Sequence, residues 1–184
     1  MIILEGPDGA GKSTLMDNLL TTINGVEQHE RAATSTGGPV EDIFEWAEED
    51  VITWRKQPFS IYDRHPFISE LIYGPTIRNT IDPRFNKAHG VDLRERLYDR
   101  ALIVLCLPPK EVARDNLGVH DQMSGVEEHF DSLWHQYNNL RITLSRANRR
   151  VFWYDYTRKH DFQKLGIVAQ GHQIMWEKKR GYHD

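Results

Sequence analysis

Residues 2–15 have the sequence IILEGPDGAGKSTL, in which a short apolar run leads into the pattern G-x-x-x-x-G-K-S. Glycines in this pattern permit backbone conformations with positive φ, so consecutive N–H groups can point into one concave surface that suits an anion. Lys12 can reach the terminal phosphates of a nucleotide, and the Ser13 hydroxyl can ligate Mg²⁺. The residues predicted to hold the nucleotide are Gly6, Pro7, Asp8, Gly9, Ala10, Gly11, Lys12, Ser13 and Thr14.

The sequence on either side of this loop supports the same interpretation. A phosphate-binding loop of this kind needs a strand before it and a helix after it. Residues 1–4 form a short apolar run, and residues 12–20 carry Leu15, Met16 and Leu19 at helical spacing. Both conditions are met, so the positive end of a helix dipole is expected to add to the anion site.

Composition limits the classes of protein that the chain can belong to. Its 184 residues predict one domain, residues 1–184, with a buried core of its own. Lys and Arg number 23 against 27 Asp and Glu, so the general basicity of a nucleic-acid-binding protein is missing. The single cysteine, Cys106, excludes an internal disulfide framework, and no apolar run approaches the length of a membrane span. We therefore expect a cytoplasmic protein without membrane contact.

Apolar periodicity predicts strands that alternate with helices along the chain. Such alternation predicts an α/β fold with a mostly parallel sheet. The strands are predicted at residues 1–4, 25–29, 59–62, 101–107 and 151–154. The helices are predicted at residues 12–20, 41–56, 69–73, 91–98, 110–116 and 126–147, with a docking helix in the tail at 166–184. Breaking signals around Pro75 predict a long loop over residues 75–90, and a candidate lid covers residues 115–126.

A second motif, Asp63-Arg64-His65, follows the third predicted strand. In open α/β sheets the ligand lies at the carboxyl ends of the strands, so this motif and the glycine-rich loop are expected to face one crevice. An arginine fork suits a phosphate bidentately. Arg64 is therefore the candidate holder of a second phosphate group.

These motifs together resemble those of the thymidylate kinases. Asp63-Arg64-His65 is followed by Ser69 and by Tyr73-Gly74, in that family's order, and residues 5–14 resemble its version of the loop. Residues 99–114 resemble its fourth strand and the helix that enters its lid. The resemblance covers most of residues 1–157. It implies a P-loop NTPase fold, three-layered α/β/α with a five-stranded parallel sheet and a lid, and transfer of the γ-phosphoryl of ATP to a nucleoside monophosphate such as dTMP.

The chemistry of phosphoryl transfer and the resemblance together assign roles to individual side chains. Cations must line the gap between two anionic substrates. Lys12 is expected on the ATP phosphates, Ser13 on Mg²⁺, and Asp63 on the water shell of that Mg²⁺. Arg64 and Asp8 are expected on the acceptor. The remaining assignments are a clamp on ATP or on the transferring group for Arg114, and acceptor-site lining for His65, Tyr73 and Arg78.

Departures from the family pattern leave other functions open. The stretch at 117–125 has no Arg or Lys, although the family's lid is rich in arginine, and Arg31 with Gly37-Gly38-Pro39 is only a partial match to another family motif. One alternative is a kinase of a hydroxyl on a nucleoside, DNA or small molecule, with Asp63 or Glu5 as base. Another is a nucleotide-binding protein without turnover. The resemblance also implies a homodimer packed through helices.

Overall fold

The computed structural model describes residues 1–33, 38–117 and 123–181. Five parallel strands form one sheet in the order β2-β3-β1-β4-β5. The strands are β1 (Ile2–Glu5), β2 (Glu27–Gln28), β3 (Ser60–Asp63), β4 (Leu102–Cys106) and β5 (Val151–Tyr154). The helices are α1 (Lys12–Thr22), α2 (Ile43–Thr53), α3 (Pro66–Tyr73), α4 (Ala88–Arg100), α5 (Lys110–Asp115), α6 (Val126–Arg146) and α7 (Asp161–Gly181).

The central strands of the sheet are covered on both faces. Every residue of β1 and β4 is buried, and successive side chains of a strand point to opposite faces. Helices must therefore lie on each side, as the near-continuous apolar sequence of a parallel sheet requires. Helix α1 packs against β1, β2 and β3, α7 packs against β5, and α3 packs against α2, α4 and α6.

The register between β1 and β3 determines where the two sequence motifs lie. Leu4 is paired with Asp63, and the backbone N–H of Arg64 donates to the Leu4 carbonyl at 3.0 Å. Because the strands are parallel, the loop that follows β1 and the Asp63-Arg64 step that follows β3 lie side by side at the carboxyl edge of the sheet. The predicted proximity of the two motifs is confirmed.

The prediction of a long loop over residues 75–90 was wrong. Helix α3 is not interrupted at Gly74-Pro75 but runs into a π-helical turn at Gly74–Arg78, and a 3₁₀ turn follows at Pro83–Asn86. Helix α4 then begins at Ala88, three residues before the predicted start. The Asp82 side chain accepts from the backbone N–H of Arg84 at 2.8 Å and caps the 3₁₀ turn, so this segment has local structure of its own.

Two further predictions concern the candidate lid and the tail. The lid, residues 115–126, runs from the end of α5 to the start of α6, but its residues 118–122 lie outside the described residues. Residues 166–181 of the tail lie in α7, with Trp176 buried and Ile174 and Met175 exposed, and residues 182–184 lie outside the described residues. Across residues 1–33, 38–117 and 123–181, none of the helices has the length and apolarity needed to cross a membrane.

Candidate active site

The glycine-rich loop has the backbone geometry that its sequence predicts. Gly9 and Gly11 have φ of 74° and 77°, and Gly6 has φ of 145°. A Cβ atom at Gly9 would lie 2.1 Å from the carbonyl oxygen of Ala113, so the loop also approaches the neighbouring backbone too closely for a side chain. The next residues, Lys12 and Ser13, begin α1, so the loop joins β1 to the positive end of that helix.

Lys12 lies folded back on the loop. Its Nζ donates to the carbonyl oxygens of Gly6, at 3.1 Å, and Pro7, at 2.7 Å. Burial, followed by the neighbouring positive charge of Arg64, lowers the pKa of Lys12. Two backbone carbonyls therefore hold the ammonium group within the loop, where phosphate oxygens could take their place.

Arg64, Asp8 and Tyr73 form one hydrogen-bonded cluster against the loop. Arg64 has the left-handed φ of 69°, and its Nη1 donates to the Gly6 carbonyl at 3.3 Å. Its Nη2 donates to Asp8 Oδ1 at 3.0 Å and to the Tyr73 hydroxyl at 2.8 Å. That hydroxyl donates to Asp8 Oδ2 at 2.8 Å, and the guanidinium carbon lies 4.5 Å from the centre of the Tyr73 ring. Three side chains from the first loop, the end of β3 and α3 are thus locked together.

Opposite pKa shifts separate the two carboxyl groups of the loop region. Burial alone would raise the pKa of Asp8, but the charges of Arg64 and Lys12 and the Tyr73 hydrogen bond lower it to about 2. Burial raises the pKa of Glu5 to about 7, although Arg64 and two hydrogen bonds oppose the shift. Glu5 accepts from the His65 N–H and from the Tyr137 hydroxyl, both at 2.9 Å. Asp8 is therefore ionised at neutral pH, whereas the pKa of Glu5 lies close to neutral pH.

Asp63 and Ser13 have atoms that suit a hydrated Mg²⁺. Asp63 Oδ2 lies 3.4 Å from Nε of Arg31, whereas its Oδ1 is buried and finds no hydrogen-bond partner in the described ranges. Ser13 is exposed at the start of α1, on the same cavity. Oxygen ligands of this kind fit Mg²⁺, which keeps several waters and binds through one or two protein groups and the substrate phosphates. The ion would supply charge neutralisation between the phosphate oxygens.

These groups open into one cavity of about 470 Å³, which is within the range of small-molecule sites. Asp8, Lys12, Ser13, Asp63 and Arg64 all line it, as do the glycines of the loop's second half. The sequence-predicted residues from the first loop and from the end of β3 are therefore brought together.

Sequence reasoning missed three polar residues that line the cavity, Asn116, Tyr154 and Tyr156. Asn116 Nδ2 donates to the Tyr156 hydroxyl at 2.6 Å, and a Cβ on Gly11 would lie 3.0 Å from the Tyr156 ring. Tyr156 lies just beyond the carboxyl end of β5, so the rule that selected Asp63 could have selected it as well.

Within the described ranges, six predicted site residues do not line the cavity: Gly6, Pro7, His65, Tyr73, Arg78 and Arg114. Gly6, Pro7 and Tyr73 hydrogen-bond to Lys12 or Arg64 beside it. His65 is fully buried, where its Nδ1 accepts from the Phe67 N–H and its Nε2 lies 3.2 Å from Asp50 Oδ2. Arg114 forms an ion pair at 2.6 Å with Asp131 of α6, and Arg78 pairs with Glu70 of α3. The core encloses His65, and neighbouring carboxylates hold Arg114 and Arg78; the roles predicted for these three residues stay predictions.

A strand, a phosphate-binding loop and a helix at the carboxyl edge of a parallel sheet define the P-loop architecture. No protein-family model matches the chain. No curated protein matches it either.

Solved structures of similar architecture include kinases. The YorR protein of Bacillus subtilis, in complex with phosphorylated GDP, matches with a TM-score of 0.57 and 19% identity over 100% of this chain and 98% of that one. The deoxyadenosine kinase of M. mycoides with bound dCTP matches with a TM-score of 0.55 and 15% identity over 90% of this chain and 96% of that one. The same kinase with products dCMP and dCDP matches with a TM-score of 0.51 and 14% identity over 98% of each chain. The α/β fold predicted from the sequence is confirmed.

Proposed function

We propose that this chain is a P-loop kinase that transfers the γ-phosphoryl of Mg²⁺-ATP to the phosphate of a nucleoside or deoxynucleoside monophosphate. The observation that carries the proposal is the convergence of two cations on one atom. Lys12 Nζ, from the donor loop, and Arg64 Nη1, from the end of β3, both donate to the Gly6 carbonyl, at 3.1 and 3.3 Å. Two phosphate groups bound to these cations would meet there.

The chemistry needs little beyond this arrangement. Phosphoryl transfer depends on positioning in line and on neutralising charge over the transferred group. An acceptor phosphate oxygen is already ionised, so no strong base is required. Lys12, the loop N–H groups and Ser13 with Mg²⁺ would hold the donor, and Asp63 would orient the metal's waters.

The acceptor side is assigned to Arg64, Asp8 and Tyr73. Arg64 would take the acceptor phosphate through its planar fork. Asp8 is ionised and would repel that phosphate, so it suits a sugar hydroxyl, which can donate to it. The resemblance to the thymidylate kinases makes dTMP the first acceptor to test.

A kinase with a hydroxyl acceptor is the second candidate. The unpartnered Oδ1 of Asp63 favours it, because an alcohol must lose a proton to a nearby carboxylate during transfer. The likeness in fold to a deoxyadenosine kinase also supports this candidate.

A substrate panel separates these candidates. ADP release is measured from Mg²⁺-ATP with each ribo- and deoxyribonucleoside monophosphate and with the corresponding nucleosides. We expect turnover on at least one monophosphate, most of it lost in Lys12→Ala, because a cation on the transferring group contributes several kcal/mol to transition-state stabilisation. Lys164→Ala, an exposed lysine of α7, is the matched control and should keep full turnover.

Arg64→Ala tests the acceptor assignment in the same assay. We expect its largest effect on the KM of the acceptor. Turnover on nucleosides alone would favour the second candidate. ATP binding without turnover on any acceptor would leave only a nucleotide-binding role.

A further inference from the structure

A second cavity, of about 380 Å³, lies at the opposite edge of the sheet from the nucleotide cavity. Its lining residues precede strands: Trp54 and Arg55 come before β3, Arg100 comes before β4, and Arg150 comes directly before β5. The C-terminal half of α7 closes the cavity with His172, Trp176 and Lys179. None of these residues belongs to the candidate active site.

The charge on this second cavity is strongly positive in a chain whose net charge is −4. Arg55, Arg100, Arg150 and Lys179 line it together with one carboxylate, Asp99. Asp99 already accepts from Arg149 through its Oδ1. In the part of the chain that the structure describes, none of the four lining cations forms an ion pair.

Two of the guanidinium groups at this cavity share one aromatic neighbour. Those of Arg55 and Arg100 lie over the Trp54 ring, at 5.5 and 4.8 Å from its centre. Burial, followed by the positive charges of Arg96 and Arg55, lowers the pKa of Arg100. Within the described ranges, Arg100 donates one hydrogen bond, to the Val51 carbonyl at 2.8 Å, so most of its N–H groups have no partner among these residues. An anion would relieve this repulsion.

Two buried polar atoms at the same cavity also lack partners. Trp176 Nε1 and His172 Nδ1 make no hydrogen bond within the described ranges, and both side chains are 3% exposed. His172 Nε2 donates to the Met1 carbonyl at 3.0 Å. Burial, assisted by nearby positive charges, lowers the pKa of His172 to about 3, so the ring is neutral. Buried polar groups are normally hydrogen-bonded. Trp176 Nε1 can only donate and so lacks an acceptor such as an anion oxygen, whereas the unprotonated His172 Nδ1 can only accept and so lacks a donor such as a water or a protonated phosphate oxygen.

We propose that the cavity formed by Trp54, Arg55, Arg100, Arg150, His172, Trp176 and Lys179 is a second anion site, which binds a phosphate-bearing small molecule. The guanidinium groups of Arg55, Arg100 and Arg150 and the Lys179 ammonium hold the phosphate oxygens by charge-assisted hydrogen bonds. The site is separate from the phosphoryl-transfer cavity, so its existence does not depend on the proposed kinase activity.

Inorganic pyrophosphate in metal-free buffer is the probe, and tryptophan fluorescence is the readout. Trp54 and Trp176 lie at this cavity, whereas the aromatic residues that line the nucleotide cavity are Tyr154 and Tyr156. The test variant is Arg55→Gln with Lys179→Gln. The matched control is Lys56→Gln with Lys178→Gln, which removes the same charge from adjacent exposed positions. All four side chains are exposed, so each variant should fold.

We expect the Kd for pyrophosphate to rise about tenfold or more in the test variant, the effect of losing a charge-assisted hydrogen bond. The control should change it by less than about threefold, and Lys12→Ala should leave it unchanged. The proposal is overturned if the test and control variants weaken binding equally, if Lys12→Ala abolishes the fluorescence change, or if the unmodified protein shows none at millimolar pyrophosphate. Binding of a single-stranded oligonucleotide that pyrophosphate cannot displace would also overturn it.

Discussion

At the scale of single residues, the site depends on carboxyl groups whose surroundings differ sharply over a few residues. Asp8 is surrounded by cations and by the Tyr73 hydroxyl, whereas Glu5 lies completely buried between His65 and Tyr137. Desolvation disfavours a charged carboxylate, and nearby positive charge favours it. Asp8 is therefore a fixed negative charge at the cavity, whereas the pKa of Glu5 is close to neutral pH.

Glu5→Gln should make the stability of the protein less dependent on pH. The pKa of Glu5 is about 7 in the folded chain and about 4.5 in the unfolded chain. Between these two pH values the folded state therefore retains a proton that the unfolded state has lost. Folding stability attributable to Glu5 is therefore fully present below pH 4.5 and falls as the pH rises through 7. Glutamine can still accept from the His65 N–H and can donate to the Tyr137 oxygen.

Urea unfolding at a series of pH values measures this effect. Relative to the unmodified protein, Glu5→Gln should gain about 3 kcal/mol of unfolding free energy between pH 4.5 and pH 8. Glu27→Gln, on the exposed strand β2, is the control, and its unfolding free energy should change with pH in the same way as that of the unmodified protein. If the unfolding free energy of Glu5→Gln also changes with pH as that of the unmodified protein does, burial does not raise the pKa of Glu5.

Tyr73→Phe tests the acceptor cluster with the loss of one oxygen atom. The substitution removes the donor to Asp8 Oδ2 and one acceptor of Arg64 Nη2. We expect the KM of the acceptor to rise about tenfold, with the KM of ATP nearly unchanged, because a hydrogen bond to a charged group contributes about 1.5 kcal/mol or more. Tyr98→Phe, a buried tyrosine of α4, is the matched control. An equal rise in both KM values would indicate a general structural role instead.

At the scale of elements, the sequence predicts local structure well where one short motif determines it. The strand, the loop and helix α1 were predicted because Gly6, Gly9, Gly11 and Lys12 all serve one anion-binding geometry. The turns between residues 75 and 90 were missed because the contacts that support them, such as the hydrogen bond from Gln136 of α6 to Thr76 at 2.5 Å, follow no sequence period. A Cβ on Gly90, in α4, would lie 2.3 Å from the Arg84 carbonyl, a contact that no periodicity reveals.

The same reason explains why the partners of His65 and Arg114 were not predicted. His65 follows Arg64 directly, but its position depends on Asp50, fifteen residues earlier in α2. Arg114 follows a strand as predicted, but Asp131 of α6 pairs with it. Sequence spacing identifies the edge of the sheet at which a residue lies. It does not identify the carboxylate that a flexible cationic side chain will reach.

Two glycine substitutions measure how tightly α4 packs on the 3₁₀ turn before it. Gly90→Ala should lower the unfolding free energy by about 1–3 kcal/mol, because the added methyl group collides with the backbone at Arg84. Gly171→Ala, in α7, should raise it by about 0.5–1 kcal/mol, because its Cβ meets nothing within 4 Å and alanine favours a helix. Urea unfolding of both variants gives the two values. If Gly90→Ala leaves the unfolding free energy unchanged, the backbone of the 3₁₀ turn shifts at little cost to make room for the methyl group.

At the scale of the whole molecule, the sheet separates two sets of cations. Lys12 and Arg64 lie at the carboxyl ends of the strands beside Asp8 and Asp63, whereas Asp99 is the one carboxylate among the described residues that line the basic cavity at the amino ends. A mixture of carboxylates and cations suits a hydrated metal with phosphates. A cationic cavity suits a bare anion. Binding at either edge should stabilise the folded chain according to the affinity for that ligand.

Removing the metal should reveal the contribution of Asp63 to nucleotide binding. At a concentration of 100 times Kd, ADP with Mg²⁺ adds about 2.7 kcal/mol of stability, which corresponds to a rise in Tm of about 5–10 °C for a chain of this size. EDTA should remove part of that rise, and Asp63→Asn should remove about as much with Mg²⁺ present, because the variant lacks the charge that holds the metal's waters. Asp92→Asn, an exposed carboxylate of α4, is the control. If Asp63→Asn retains the full difference between Mg²⁺ and EDTA, the metal is held by Ser13 and the phosphates without Asp63.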